Sequence, residues 1–273
     1  MTGAPAAPPR WIFVAGLHRT GTSLLARLLG AHPAIASISG SPAPEDEGCY
    51  LQGAIPHDAT HGIPGHYATD PVQHLVEGGR YDTLAVRQRL EADWGRWYDP
   101  ARPHRIEKSP VNLTRMRLYQ QLFPLARFIV VLRHPQAMAA ALAKWSDRPF
   151  DELVRYGARA YATALDDARH LHCVATVRYE DLVRAPDREL ARLFTFLELE
   201  PISAGEPLRD GNRDYGTSAP VPADIAEQLL RLGYGDGQII EPYRPVLRHP
   251  FRAVCEAAVT FAQEEAMPPF KQN

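Results

Sequence analysis

Continuous apolar runs occur at several points along the chain and are separated by segments with helical spacing. Residues 11–15 (WIFVA) and 127–132 (RFIVVL) are rich in aromatic and β-branched side chains, and residues 173–178 (CVATVR) form a third run. Runs without polar alternation are typical of strands buried on both faces of a parallel sheet. The pattern therefore predicts three strands, with a fourth, shorter one over residues 105–108.

Apolar residues at helical spacing follow these strands. The predicted helices are residues 23–29, 83–97, 113–123, 136–145, 150–170 and 187–197, with two less regular ones near 222–232 and 251–264. Residues 39–71 are rich in Gly, Pro, His and Asp and are predicted to form long loops with short helical turns. Strands that alternate with helices predict an α/β fold, a three-layer sandwich with a mainly parallel central sheet flanked by helices.

The length and the first residues indicate a single domain. The chain has 273 residues, of which 45% are hydrophobic, and this is enough for one large core. Residues 1–10 contain Pro5, Pro8 and Pro9 and are predicted to be a flexible N-terminal arm. We therefore expect one domain over residues 11–273.

Composition excludes several classes of protein. The formal net charge is -2, whereas proteins that coat nucleic acid carry a clear basic excess, so no nucleic-acid partner is expected. The three cysteines are far apart and form no CxxC pair, which argues against a disulfide framework and a cysteine zinc site. The first residues do not resemble a signal peptide, and we find no long uncharged apolar stretch. We therefore expect a cytoplasmic protein with no membrane association.

The turn after the first strand carries the strongest chemical signal. Residues 16–23 (GLHRTGTS) resemble the phosphate-binding loop GxxxxGK(S/T), except that Thr22 occupies the position of the lysine. Backbone amides and the start of the next helix can still hold an anion there, and Arg19 supplies a cation. A glycine-rich turn that binds nothing is the alternative. The candidate anion-binding residues are His18, Arg19, Thr20, Gly21, Thr22 and Ser23, and the fold is expected to be P-loop-like.

Two further segments complete a resemblance. Residues 130–135 (VVLRHP) end a predicted strand, and residues 178–182 (RYEDL) follow a later one. Together with the loop, in this order, these segments resemble the sulfotransferases that use 3′-phosphoadenosine 5′-phosphosulfate (PAPS). The resemblance implies that the loop binds the 5′-phosphosulfate and that Arg133 grips the 3′-phosphate of PAPS. The family's serine eight positions after this arginine is replaced by Ala141.

The resemblance also indicates catalytic residues. Lys108, in Glu-Lys-Ser-Pro, resembles the Lys-Asp-Pro of tyrosylprotein-type members and is expected to approach the transferring group. Pro110 occupies the position of the histidine base found in many cytosolic members. The base is therefore expected in the acidic segment 45–47, with Glu45 ranked before Glu47, or at His66. Like charges within that segment favour a raised carboxylate pKa, which would suit a base. The alternative to a catalytic role is a solvated acidic turn.

The predicted function is sulfuryl transfer from PAPS to a hydroxyl of a small molecule, glycan or peptide, with no metal required. A P-loop kinase or NTPase is the rival enzyme, and Thr22 argues against it. A non-catalytic nucleotide-binding protein on the same fold is the other alternative. Residues 211–216 (GNRDYG) could correspond to the family's nucleotide-covering loop, but are interpreted as an ordinary surface loop.

Overall fold

The computed structural model describes residues 8–57, 62–215, 220–241 and 243–263. Residues 1–7 of the predicted arm lie outside this part of the chain, and the first strand begins at Arg10. The strands are β1 Arg10–Gly16, β2 Ile35–Ser37, β3 His104–Lys108, β4 Arg127–Leu132, β5 Val174–Arg178 and β6 Leu247–Arg248. The α-helices are α1 Thr22–Gly30, α2 Leu84–Gly95, α3 Met116–Leu122, α4 Pro135–Leu142, α5 Phe150–Asp167, α6 Tyr179–Arg184, α7 Pro186–Phe196, α8 Ala226–Arg231 and α9 Arg252–Gln263.

The strands form a single sheet in the order β2-β3-β1-β4-β5-β6. Neighbouring strands are parallel except for β6, which pairs antiparallel with β5. In β1, Trp11 and Phe13 belong to one apolar core, whereas Ile12 and Val14 belong to a second core on the opposite face. Because successive side chains of a strand point to opposite faces, this arrangement buries both sides of the sheet. The predicted α/β sandwich with a mainly parallel sheet is confirmed.

Several elements differ from the sequence-based prediction. Strands β2 and β6 contain three and two residues, too few to produce a recognisable pattern. The helix predicted over 113–123 begins as a 3₁₀ turn, Pro110–Thr114, and α3 starts only at Met116. The helix predicted to end at residue 145 ends at Leu142, which leaves Trp145 in a turn.

The topology brings several strand ends together. Because β3, β1 and β4 are neighbours and parallel, their carboxyl ends lie side by side at one edge of the sheet. In open α/β sheets, ligands bind at this edge. Of the helices in the described ranges, none combines the length and the apolar content that crossing a membrane requires.

Candidate functional site

A cleft of about 310 Å³ opens at the carboxyl edge of the sheet, beside the loop that follows β1. It is lined by His18, Arg19, Gly21, Thr22, Ser23, Leu24, Glu45, Glu47, Pro110, Arg133, Trp145, Tyr179, Gly211, Asp214 and Tyr215. The cleft therefore brings together most of the residues that the sequence singles out. Thr20, His66 and Lys108 are not among its lining residues. Lys108, however, contacts two residues that line the cleft, Glu45 and Glu47.

The loop between β1 and α1 keeps its shape through one hydroxyl and one glycine. The Oγ1 atom of Thr20 is buried and donates to the carbonyl oxygen of Leu17 at 2.7 Å, so this hydroxyl holds the loop itself. Gly21 has a φ of 96°, in the left-handed region. A Cβ atom at Gly21 would lie 2.6 Å from the ring of Tyr179. Both the backbone angle and the close approach therefore require glycine.

The N-terminus of α1 faces this cleft without a side-chain cap. Gly21 precedes the helix, no side chain caps it, and its first turn contains no acidic residue. The first amides of a helix have no intrahelical acceptor, and they carry the positive end of the helix dipole. The Ser23 hydroxyl donates to Oε2 of Glu45 at 2.5 Å. The start of α1 is thus suited to binding an anion, and the Glu45 carboxylate already accepts a hydrogen bond from Ser23 there.

Arg19 lies over the cleft with a strained backbone. Its φ of 66° is unusual for a residue other than glycine. Its guanidinium lies 4.9 Å from the ring centroid of Trp145. A hydrogen bond from Arg19 is also the main cause that lowers the pKa of the Tyr215 hydroxyl. Trp145 and Tyr215 therefore hold the arginine that the loop contributes.

Arg133 follows the last residue of β4 and is 5% exposed. Its Nε donates to Oδ1 of Asn212 at 2.7 Å, and its Nη1 donates to the carbonyl oxygen of Arg19 at 2.6 Å. The guanidinium carbon lies 4.5 Å from the ring centroid of Tyr179. Its Nη2 atom is buried and has no hydrogen-bonding partner within the described ranges. One donor of a fixed guanidinium is therefore free for a ligand.

The segment 211–215 closes the side of the cleft next to Arg133. Glu180 Oε1 accepts from the Asn212 side chain at 2.9 Å and from the His134 amide at 2.8 Å. The Gly211 amide donates to the Tyr179 hydroxyl at 2.7 Å. The interpretation of this segment as an ordinary surface loop is wrong, because its contacts to the Tyr-Glu segment hold it against the cleft. Only the tertiary structure shows these contacts.

Lys108 and two glutamates form a charged cluster beside the start of α1. Lys108 is 7% exposed, and its ammonium lies 3.1 Å from Oε1 of Glu47 and 3.4 Å from Oε2 of Glu45. The hydrogen bond from Ser23 is the main cause that lowers the pKa of Glu45. Burial, in contrast, raises the pKa of Glu47 to about 7, although Lys108 opposes this rise. The two carboxylates therefore differ in protonation near neutral pH.

The two candidate histidines lie in different surroundings. Burial lowers the pKa of His18 to about 4, so its ring is neutral at pH 7. Its ring packs edge-on against Tyr67, and its Nδ1 atom is buried without a partner in the described part of the chain. His66 is exposed and lies outside the cleft lining.

Sequence reasoning assigned no role to four aromatic or amide side chains of the site. Trp145 and Tyr215 contact Arg19, and Tyr179 and Asn212 contact Arg133. The Tyr-Glu-Asp segment gave a signal for Tyr179, although no role followed from it. Ala141, which lacks the hydroxyl of the expected serine, is fully buried in α4. Among the described residues, no group of three or more His, Cys, Asp or Glu side chains is arranged to hold a metal ion.

Residues 9–203 match the sequence profile of the Sulfotransferase family. The nodulation protein NoeE of Sinorhizobium fredii is 29% identical over 219 residues, and the match covers 71% of this chain and 51% of that protein. The chain thus spans about half the length of this curated relative. Among solved structures, a sulfotransferase from Alicyclobacillus acidocaldarius is 20% identical with a TM-score of 0.44, and the match covers 82% of this chain and 90% of that one. The sulfotransferase domain of a Synechococcus olefin synthase is 19% identical with a TM-score of 0.47. This match covers 97% of this chain and 98% of that domain.

Proposed function

Because this chain belongs to the sulfotransferase family, we propose that it transfers a sulfuryl group from PAPS to a hydroxyl group of an acceptor. Adenosine 3′,5′-bisphosphate is then the second product. The observation that carries the proposal is the placement, in and beside one cleft, of an uncapped helix N-terminus, an arginine with a free donor and a lysine–glutamate pair.

The cleft fits a donor with two anionic ends. The amides at the start of α1 and Arg19 would hold the 5′-phosphosulfate, since helix N-termini and guanidinium groups both bind such oxygens. The free Nη2 of Arg133 would donate to the 3′-phosphate. No serine hydroxyl is present at Ala141, so we propose that Asn212 compensates by fixing the Arg133 fork through its contact with Nε.

We propose that Glu47 is the general base and Lys108 the catalytic cation. When bound, PAPS supplies an activated sulfuryl group, whose bond to the phosphate oxygen breaks as the acceptor oxygen attacks the sulfur. Glu47 accepts the proton of the acceptor hydroxyl, and its pKa of about 7 suits proton transfer near neutral pH. The Lys108 ammonium, buried beside Glu47, stabilises negative charge that develops on the transferring group and the leaving phosphate.

Glu45 is better suited to another role. Its carboxylate accepts from Ser23 and Lys108, two donors that an anionic ligand would also use. Its lowered pKa makes it a weaker base than Glu47. We propose that Glu45 releases the Ser23 hydroxyl when the phosphosulfate binds. His66, which is exposed outside the cleft lining, receives no role in this proposal.

Calorimetry with two nucleotides tests the choice between a sulfotransferase and a P-loop NTPase. We expect binding of adenosine 3′,5′-bisphosphate, and binding that is about 10- to 100-fold weaker in Arg133→Ala. Binding is retained in Arg231→Ala, a matched control whose exposed guanidinium pairs with Glu227 on α8. Binding of ATP with magnesium, without any response to the bisphosphate, would favour the NTPase.

Turnover separates an enzyme from a binding protein. Labelled PAPS is incubated with a panel of phenols, sugars and tyrosine peptides, and transfer of label to any of them supports the proposal. A protein that binds the bisphosphate but transfers no label to any acceptor of the panel would favour a non-catalytic role.

A further inference from the structure

Glu107 is a fully buried carboxylate next to Lys108 on β3 that the proposed mechanism does not use. Its Oε1 atom accepts from the Ser109 hydroxyl at 2.5 Å and from the Gly48 amide at 3.0 Å. Its Oε2 atom accepts from the Asn112 side chain at 2.5 Å. A buried carboxylate with three donors is a well-satisfied acceptor, so its position is fixed.

These contacts fasten the turn that follows Glu47. The Gly48 amide binds Glu107, and the Gly48 carbonyl accepts from the indole of Trp94 at 2.8 Å. The next amide, of Cys49, donates to the Ser109 hydroxyl at 3.1 Å. The turn and Glu107 are in such close contact that a Cβ atom at Gly48 would lie 2.7 Å from Oε1. The backbone directly after Glu47 is therefore held on both sides.

We propose that Glu107 is a positioning residue, which holds the Gly48 turn so that the Glu47 carboxylate stays beside the Lys108 ammonium. This inference rests on the proposed function, in which Glu47 and Lys108 act on the acceptor and the transferring group. The base lies one residue from the bond that Glu107 makes, so loss of that bond lets the base move. Displacements of about 1 Å in a catalytic group can lower a rate by about 100-fold.

Charges around Glu47 provide a readout that a purely structural role would not change. Lys108 and Glu107 face it from β3, Glu45 from its own turn, and Arg19 lines the same cleft. The neutral ring of His18 also lines this cleft. In Glu107→Gln the nearby negative charge is lost and the turn is loosened toward solvent. Both changes move the titration midpoint of Glu47 down toward the ordinary value of a glutamate. Release of Glu47 from the Lys108 ammonium acts in the opposite direction, but burial is the largest cause of the raised pKa, so the net shift is expected to be downward.

The first experiment follows the Glu47 side-chain carboxyl by carbon-13 NMR, with its signal assigned from its absence in Glu47→Gln. We expect a lower midpoint in Glu107→Gln than in the wild type. Glu189→Gln is the matched control, because Glu189 is also buried and accepts from Arg192 at 2.9 Å, but it lies on α7 outside the cleft lining. The control is expected to lose stability and to keep the wild-type midpoint.

The second experiment measures turnover of labelled PAPS with the best acceptor of the panel. In Glu107→Gln we expect kcat to fall by about 10- to 100-fold, while the dissociation constant of adenosine 3′,5′-bisphosphate stays unchanged. Ser109→Ala removes the acceptor of the Cys49 amide and is also expected to lower kcat. This second variant tests the positioning role if Glu107→Gln does not fold.

The outcomes are distinguishable. If the variant that folds keeps either the wild-type midpoint or the wild-type kcat, Glu107 does not position the base, and the proposed function is unaffected. If the wild type itself neither binds the bisphosphate nor transfers label, the proposed function fails, and the positioning role fails with it.

Discussion

Replacing Glu47 with glutamine removes a carboxyl group whose pKa is raised by burial beside the cleft. Burial raises the pKa of Glu47 from 4.5 to about 7. At about 1.4 kcal/mol per pH unit, this difference corresponds to roughly 3 kcal/mol. The side chain is 13% exposed, so solvent screens only part of the effect. The ionised carboxylate therefore destabilises the folded protein, whereas the neutral glutamine does not.

The sign follows from proton binding. The folded protein holds the Glu47 proton more tightly than the unfolded chain does, so the free energy of unfolding falls as the pH rises between these two pKa values. Relative to Glu47→Gln, the wild type should lose up to about 3 kcal/mol across this interval and show a constant difference at higher pH. The variant should also lose about 100-fold or more in kcat, since Glu47 is the proposed general base and a general base contributes about that factor.

The assay is urea unfolding of both proteins at a series of pH values. Glu45→Gln is the internal control, because Ser23 lowers the pKa of Glu45 and the contribution of that carboxylate is lost as the pH falls. The slope of the stability difference should therefore be opposite for the two variants. A difference between wild type and Glu47→Gln that does not change with pH would refute the assignment of a raised pKa to Glu47.

Three further predictions concern Arg133 and two residues at the start of α1. Arg133→Ala should weaken the binding of adenosine 3′,5′-bisphosphate by about 10- to 100-fold, because charge-assisted bonds contribute about 1.5–3 kcal/mol, and calorimetry that finds unchanged affinity would contradict this. Ser23→Ala should raise the titration midpoint of the Glu45 carboxylate, measured by carbon-13 NMR, since the serine is the main cause of its lowering; an unchanged midpoint argues against the hydrogen bond. Gly21→Ala should destabilise the protein by about 1–3 kcal/mol in urea unfolding, because of the left-handed backbone and the approach of Tyr179, and wild-type stability would contradict the loop geometry.

The sheet could be predicted from the sequence because burial on both faces requires uninterrupted apolar runs. The prediction for β4 coincides with the observed Arg127–Leu132, and that for β1 lies within one residue at each end. Strands β2 and β6 could not be predicted, because two or three residues paired at the sheet edges carry no periodicity. Short elements depend on neighbours that are remote in the chain.

The placement of the candidate residues at one edge of the sheet was predictable where a local motif ends a strand. The loop glycines, Arg133 and Lys108 follow directly from motifs at strand ends. The ranking of Glu45 before Glu47 had no such basis, because two acids that are two positions apart look equivalent in a sequence. Their different exposures, 59% and 13% of the side chain, arise from how the turn packs on β3. The role proposed for Asn212 depends on a contact with Arg133, 79 positions away in the chain.

The bond from Arg133 to the carbonyl oxygen of Arg19 joins two segments that are 114 positions apart. Because the acceptor is a main-chain oxygen, the strand-end arginine constrains the backbone path of the loop, whichever side chain stands at position 19. An engineer who transplants the loop into another scaffold would need to transplant the strand-end arginine as well.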